Sequence, residues 1–256
     1  MPNIKLSKPD TEISAVILAA GRGTRMKGLT EGVPKPMLPV AGRPLLGHIL
    51  EGLHAAGVRR AVIITGYQAE QIERHFGDGS GLGLSICYRR QVVQDGTARA
   101  LLLAREDIGR RPFLLAWGDI LTDPSNYPGL IGRFAESGAD AVLSVNWVDD
   151  PYRGAAVTVT GDDRVERIVE KPPPGTANTH WHNAGIAVFR AVVFDYAAAV
   201  RPSPRGEYEI PDAVSAMILE GLAVRAFPLR GFWADVGTPE DLARVEDWLL
   251  KRRAGS

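Results

Sequence analysis

The chain has 256 residues, with 30 Lys and Arg against 30 Asp and Glu, so its formal net charge is zero. That length can bury a full hydrophobic core, and the balanced charge supplies no overall field for nucleic acid or an anionic membrane, so any anion site must be local. The single cysteine, Cys87, excludes an internal disulfide and a cysteine-rich zinc site; it fits a reducing compartment and lies in an apolar run that reads as core.

Residues 1–11 carry Lys5 and Lys8 but no apolar stretch of signal-peptide length, and no later run is long enough to cross a bilayer. A loose leader over 1–11, a frayed tail over 251–256 and a cytoplasmic location are therefore expected. Residues 13–20 form an apolar, partly β-branched run that reads as a buried strand. It empties into Gly21-Arg22-Gly23-Thr24-Arg25-Met26, followed by Pro34-Lys35-Pro36. Glycines let main-chain N–H groups approach an anion, and Arg25 and Lys35 could set fixed positive charge on a polyphosphate; taken alone, the same stretch also reads as an ordinary strand-to-loop turn.

A helix is expected over 45–57, with Pro44 at its start and Gly57 at its end. Strands are expected over 61–65, 84–88 and 113–117, separated by helices over 69–76 and 96–106. This alternation predicts a mostly parallel sheet covered on both faces, with ligands outside the carboxyl ends of the strands. Three of those ends are chemically loaded: 21–25, 91–97 and Gly118-Asp119. The second half is richer in strands, expected over 141–147, 155–159, 165–170 and 184–189, with helices over 127–137, 209–222 and 239–250. Thr238 and Pro239 read as the N-cap and first residue of the last helix, and Lys171-Pro172-Pro173-Pro174-Gly175 as a stiff strand exit at a cavity rim. The organisation expected is one domain over 12–250, with a nucleotide-binding half at 12–125 and a second half at 126–250.

The first loop is not a P-loop, because no Lys followed by Ser or Thr appears between residues 21 and 29; nor is it a dinucleotide fingerprint, because Met26 stands where a third small residue is needed. Read with Pro34-Lys35-Pro36-Met37-Leu38-Pro39-Val40-Ala41-Gly42-Arg43-Pro44-Leu45, the stretch 18–26 closely resembles the signature of the sugar-1-phosphate nucleotidyltransferases. The resemblance continues through Gln91 and Gly96-Thr97-Ala98, Trp117-Gly118-Asp119, Glu170-Lys171-Pro172 and Trp233-Ala234-Asp235-Val236-Gly237-Thr238-Pro239, and so covers nearly the whole chain.

The resemblance implies a Rossmann-like nucleotidyltransferase fold, with a mixed, mostly parallel sheet flanked by helices and a strand-rich sugar-binding part. It also implies the reaction NTP plus sugar 1-phosphate to NDP-sugar plus pyrophosphate, by in-line attack of the acceptor phosphate on the α-phosphorus. The nucleophile is already an anion, so positioning and charge neutralisation do the work. No Ser/His/Asp or Cys/His arrangement is evident, and His48, His54, His75, His180 and His182 read as surface or core residues.

By resemblance, Arg25 holds the β and γ phosphates and Lys35 the α-phosphoryl group. Leu18, Ala20, Gly21, Gly23, Thr24, Gln91, Gly96 and Thr97 bind the nucleotide, and Gly154, Glu170, Lys171 and Asn183 bind the sugar phosphate. Asp119 and Asp235 hold Mg²⁺, whose preference for hard oxygens suits two carboxylates completed by phosphates and water. Trp233 either flanks the sugar pocket or packs in the core. The 91–97 spacing resembles that of thymidylyltransferases, whereas Gly-Thr-Ala is similar to uridylyl- or guanylyltransferases, so the donor base stays open. The bulky run 178–182 points to an unusual acceptor, such as a deoxy, heptose or cyclitol phosphate. Two other readings remain: transfer to a non-sugar phosphate such as phosphocholine, and a non-catalytic regulatory subunit that binds NDP-sugars. The expected partners are small-molecule substrates, with neither nucleic acid nor membrane; self-association is left open.

Overall fold

The computed structural model describes residues 13–254 other than positions 24, 25 and 27. Thr24 and Arg25, both assigned to the triphosphate above, lie outside the described residues.

The first half alternates strands and helices. Its elements are β1 (Ser14–Ala19), the short β2 (Pro39–Val40) and β3 (Arg43–Pro44), α1 (Leu45–Ala55), β4 (Arg60–Thr65), α2 (Ala69–Phe76), β5 (Ser85–Arg90), α3 (Thr97–Leu102), α4 (Arg105–Ile108), β6 (Phe113–Trp117) and β7 (Ile120–Thr122). The second half comprises α5 (Asn126–Ser137), β8 (Ala141–Trp147), β9 (Ala155–Val159), β10 (Val165–Glu170), β11 (Trp181–Phe189), α6 (Val193–Ala199), α7 (Ile210–Leu219), β12 (Val224–Pro228), β13 (Trp233–Asp235) and α8 (Pro239–Ala254).

One nine-stranded sheet runs through both halves. β5, β4, β1 and β6 pair in parallel, in that order. β11 then joins antiparallel to β6 through Ile186–Phe189, β8 lies antiparallel to β11, and β12 closes parallel to β8. The hairpin of β9 and β10 branches off where His182 of β11 meets Ala156. β1 is central and buried throughout, and its alternation sets the two faces. Ala15, Ile17 and Ala19 pack with α1, α5 and α8, while Val16, Leu18 and Ala20 pack with α3, α6 and α7.

Several expected elements differ in their bounds, α8 among them, which runs to Ala254 instead of ending at 250. The single helix expected over 96–106 is two, because Leu103 N donates to Ala100 O and Ala104 N to Leu101 O, a tightened turn that breaks the α-helical register between α3 and α4. The strand expected from 184 begins earlier, at Trp181, so part of the bulky run lies in the sheet. The start of α8 follows the expected capping: Thr238 Oγ1 accepts from Asp241 N (3.2 Å), and Asp241 Oδ2 accepts from Thr238 N (3.0 Å). Cys87 is half-buried in the edge strand β5, and its thiol is pushed up first by burial and then by the neighbouring Asp107. No helix among the described residues is long and apolar enough to cross a membrane.

Candidate active site

The site grows from the carboxyl ends of β1, β5 and β6. After β1 the chain passes through Ala20 to Gly23 and is anchored at Met26, whose fully buried side chain contributes about 1.5–3 kcal/mol. Gly23 has φ +65°, and a Cβ there would lie 3.0 Å from Lys35 Cβ, so the glycine allows the loop to close over the lysine. Thr30 Oγ1 donates to Gly23 O (3.1 Å) and fastens that closure. Lys35 opens a short 3₁₀ turn between two prolines, and it is only 6% exposed.

Its ammonium points at two carboxylates. Lys35 Nζ is 2.6 Å from Asp119 Oδ2 and 3.7 Å from Asp235 Oδ1. Two small strands bring these distant aspartates together. β7 starts directly after Asp119, β13 pairs antiparallel with it and sets Asp235 opposite Ile120, and Val236 N donates to Asp119 O (3.0 Å). Among the described residues no group of three or more His, Cys, Asp or Glu could cage a metal. Two hard-oxygen carboxylates instead match an ion that keeps water and takes phosphate oxygens, so the donor set suits Mg²⁺ as the resemblance implies.

Beside β1, residues 91–98 form a second wall. Gln91 Nε2 donates to Gly96 O (3.0 Å) and to Asp95 Oδ1 (3.3 Å), which uses both amide hydrogens and leaves Oε1 as the group offered to a ligand. Gly96 has φ +125°, and a Cβ there would collide with the backbone N and O of Tyr208. Gln94 Nε2 reaches Ala20 O (2.8 Å), which holds this wall against the end of β1. Leu18 O accepts from Gly118 N (2.8 Å) at the same place.

A cavity of about 260 Å³ lies beyond Lys35 and brings together Asp119, Gly154, Glu170, Lys171, Asn183 and Asp235. Thr97, assigned to the nucleotide by resemblance, lines this cavity as well, and its Oγ1 accepts from Ile210 N (3.0 Å). Burial, and secondly the nearby Glu209, push the Glu170 carboxyl above the usual range. Lys171 has φ +41° at the strand exit, and its Nζ is 4.0 Å from Glu170 Oε1. Of the two readings offered for Trp233, the core one holds: it packs against the core with its Nε1 donating to Ala184 O (3.0 Å), and it is not among the residues lining this cavity.

Arg205 and His182 line this cavity although neither was given a site role from the sequence. Arg205 bonds the buried Glu209 and lies 3.5 Å from Glu170 Oε1. Its only sequence signal is a cation in Pro202-Ser203-Pro204-Arg205-Gly206, which reads as a solvated loop. His182 also lines the cavity, unlike His48, which is a satisfied core residue with Nε2 on Val40 O (2.9 Å).

The model of the nucleotidyl transferase family matches residues 14–252. This chain belongs to that family, among its sugar-1-phosphate nucleotidyltransferases. It is 36% identical over 239 residues to the UTP–glucose-1-phosphate uridylyltransferase AglF of Haloferax volcanii, covering 93% of this chain and 96% of that one. It is 33% identical over 242 residues to a glucose-1-phosphate thymidylyltransferase of Xanthomonas campestris, covering 93% and 81%. The fold is that of a UDP-glucose pyrophosphorylase solved with UDP-glucose, at TM-score 0.85 and 20% identity, covering 94% of this chain and 99% of that one.

Proposed function

We propose that this enzyme transfers a uridylyl or thymidylyl group from UTP or dTTP to a sugar 1-phosphate, with Mg²⁺ held by Asp119 and Asp235. The observation that carries the reading is the approach of Lys35 to both aspartates at the mouth of a cavity that holds Glu170 and Lys171. Bound there, the metal neutralises charge on the phosphates as it develops.

The residues divide the remaining work. Lys171 and Arg205 are donor-only cations that grip the acceptor phosphate, and Glu170, Asn183 and the backbone at Gly154 hold the sugar. Held this way, a phosphate oxygen of the acceptor attacks the α-phosphorus; the new P–O bond forms as the bond to the β-phosphate oxygen breaks, and pyrophosphate leaves. Lys35, swinging from its carboxylate partners, stabilises the α-phosphoryl oxygens, and Arg25 serves the departing pyrophosphate. No proton need be removed from the nucleophile, so the site needs no general base.

Base choice follows from Gln91. With both amide hydrogens spent on Gly96 and Asp95, Gln91 presents an acceptor, which suits the ring N–H of uracil or thymine and opposes the bare ring nitrogen of cytosine. Guanine also carries a ring N–H, so the choice of uracil or thymine over guanine rests on the named relatives, a UTP-using uridylyltransferase and a thymidylyltransferase. A half-buried cysteine and small-molecule substrates fit the cytoplasmic location expected from the sequence. The test is pyrophosphate release with Mg²⁺ over four NTPs and a panel of sugar 1-phosphates and phosphocholine. UTP or dTTP with a sugar 1-phosphate should support turnover; turnover with CTP and phosphocholine alone would replace this reading with the non-sugar one.

A further inference from the structure

One buried carboxylate of the acceptor cavity carries no part of the proposed reaction. Glu209 lines that cavity from the start of α7. It cannot itself hold a phosphate, because two anions repel, and a buried carboxylate is costly unless it is paired. We propose that Glu209 is a positioning residue: it draws Arg205 away from Glu170 and sets the guanidinium at the acceptor phosphate, so that Glu170 keeps its carboxylate for the sugar. The inference rests on the transfer to a sugar 1-phosphate argued above and on the grip of Arg205 on the acceptor phosphate.

The local structure turns Glu209 toward this task. It stands at the N-cap of α7, where a carboxylate ordinarily accepts from the first helical turn, yet its side chain makes no such bond. Thr97 supplies one from across the cavity, with its Oγ1 accepting from Ile210 N (3.0 Å). The Glu209 carboxylate points back along the chain instead, where Oε1 accepts from Ser203 Oγ (3.0 Å) and from Arg205 Nη2. Ser203 also closes the loop that carries the arginine: Ser203 N donates to Glu207 O (2.8 Å), and Gly206 N donates to Ser203 O (2.8 Å). The residue before Glu209 is fixed as well. Tyr208 N donates to Asp95 O (2.8 Å), Tyr208 O accepts from Ala98 N (2.9 Å), and the Arg99 guanidinium lies over the Tyr208 ring at 4.2 Å.

Arg205 needs such a partner. It sits in an exposed loop and has many rotamers to lose, and the carboxylate it would otherwise meet is Glu170, whose Oε1 is 3.5 Å from Nη2. An arginine paired to Glu170 would occupy the sugar's acceptor group and spend its own charge there. Glu209 is in direct hydrogen-bond contact and lies deeper, 6% exposed at the side chain against 21% for Glu170, so it wins the guanidinium. Among the described residues the arginine side chain meets Glu209 through Nη2, which leaves the N–H groups of Nε and Nη1 for a phosphate. Glu209 is also the second cause, after burial, that raises the Glu170 pKa, which marks the two carboxylates as close neighbours competing for one cation.

The test measures acceptor KM and NTP KM, with glucose 1-phosphate and UTP or dTTP, in Glu209→Ala, Glu209→Gln, Arg205→Ala and the double variant Glu209→Ala with Arg205→Ala. Glu209→Ala should raise the acceptor KM about tenfold, as Arg205→Ala does, with the NTP KM within about twofold of wild type. The double variant should be no worse than Arg205→Ala alone, because Glu209 acts through that guanidinium. Glu209→Gln keeps the shape and an acceptor oxygen, so it should raise the acceptor KM only about threefold, and it carries the same comparison with Arg205→Ala if the alanine variant melts early. A purely structural role would move both KM values together and add to the effect of Arg205→Ala. Either result overturns the inference, as does an unchanged or lowered acceptor KM in Glu209→Ala, which would make Glu209 a neutraliser of the arginine and no more. In each of these cases wild-type turnover leaves the reaction assignment standing. Turnover of no sugar phosphate with any NTP would instead remove the reaction assignment, and this inference with it.

Discussion

Lys35 Nζ lies 2.6 Å from Asp119 Oδ2, and the lysine side chain is almost fully enclosed. Once the substrates bind, release from Asp119 and Asp235 frees that charge for the negative charge that develops at the α-phosphorus. Lys35→Ala should lower kcat by about a hundred- to a thousandfold with a smaller change in KM, because the interaction is made mainly in the transition state. Asp119→Asn should cost a similar factor and raise the Mg²⁺ concentration needed for half activity. Circular dichroism should remain native in both. A rise in KM with kcat intact would make Lys35 a ground-state binding group instead.

Gly96 tests the base wall. Its φ of +125° and the collision of any Cβ with the Tyr208 backbone leave no room for alanine. Neither obstacle is the flexible end of a side chain, so Gly96→Ala should cost more than about 3 kcal/mol and lower the melting midpoint by about 5–10 °C. Gly81→Ala, with nothing within 4 Å of the new Cβ, is the control and should melt as the wild type does. A native midpoint for Gly96→Ala would show that the 91–98 segment is not held as described.

Glu170 predicts a pH dependence. Its folded pKa is raised, so its ionisation in the native state costs stability at neutral pH, and that cost disappears as pH falls through the carboxylate range. Glu170→Gln should therefore raise the melting temperature at pH 7, with the gain shrinking toward pH 4, while it raises the KM for the acceptor. Thermal melts over that pH range decide the point; a gain independent of pH would assign the effect to packing.

Arg205 and Lys171 should act on the acceptor and not on the nucleotide. Lys171→Ala and Arg205→Ala should raise the acceptor KM at least tenfold, as expected when a charge-assisted contact to phosphate is lost, with the NTP KM little changed. Arg205→Lys should recover part of it. An increase confined to the NTP KM would move these cations to the triphosphate side.

The parts of this site that were legible in the sequence are those whose chemistry sits in a short run at a strand end. Gly21 to Gly23 and Asp119 follow buried strands of the first half, and Gln91 and Gly96 follow its edge strand β5, where alternation of strand and helix is strong. The meeting of Asp119 with Asp235 was legible only through the resemblance, which gives both to one ion, and not from any local pattern. β7 and β13 have three residues each, too few to show a period, and only their pairing aligns the two carboxylates. Arg205 looked like a loop cation because its partners, Glu170 and Glu209, arrive from a strand end and the start of α7. His182 was read as a surface or core ring, since nothing local shows that Gly154 is shaped around it. The register shift in β11 between Asn183 and Ala187, with Gly185 at φ +76°, turns that end of the strand into the cavity, and such a bulge has no periodic signature.

The most direct test of the central claim is a coupled assay of purified protein that follows pyrophosphate and nucleotide-sugar formation together. With Mg²⁺, UTP or dTTP and a sugar 1-phosphate, the two products should appear in equal amounts, stop when the metal is chelated, and fall by about a hundredfold or more in Asp235→Asn. NDP-sugar binding without either product under any donor and acceptor pair, or undiminished turnover in Asp235→Asn, would contradict the account.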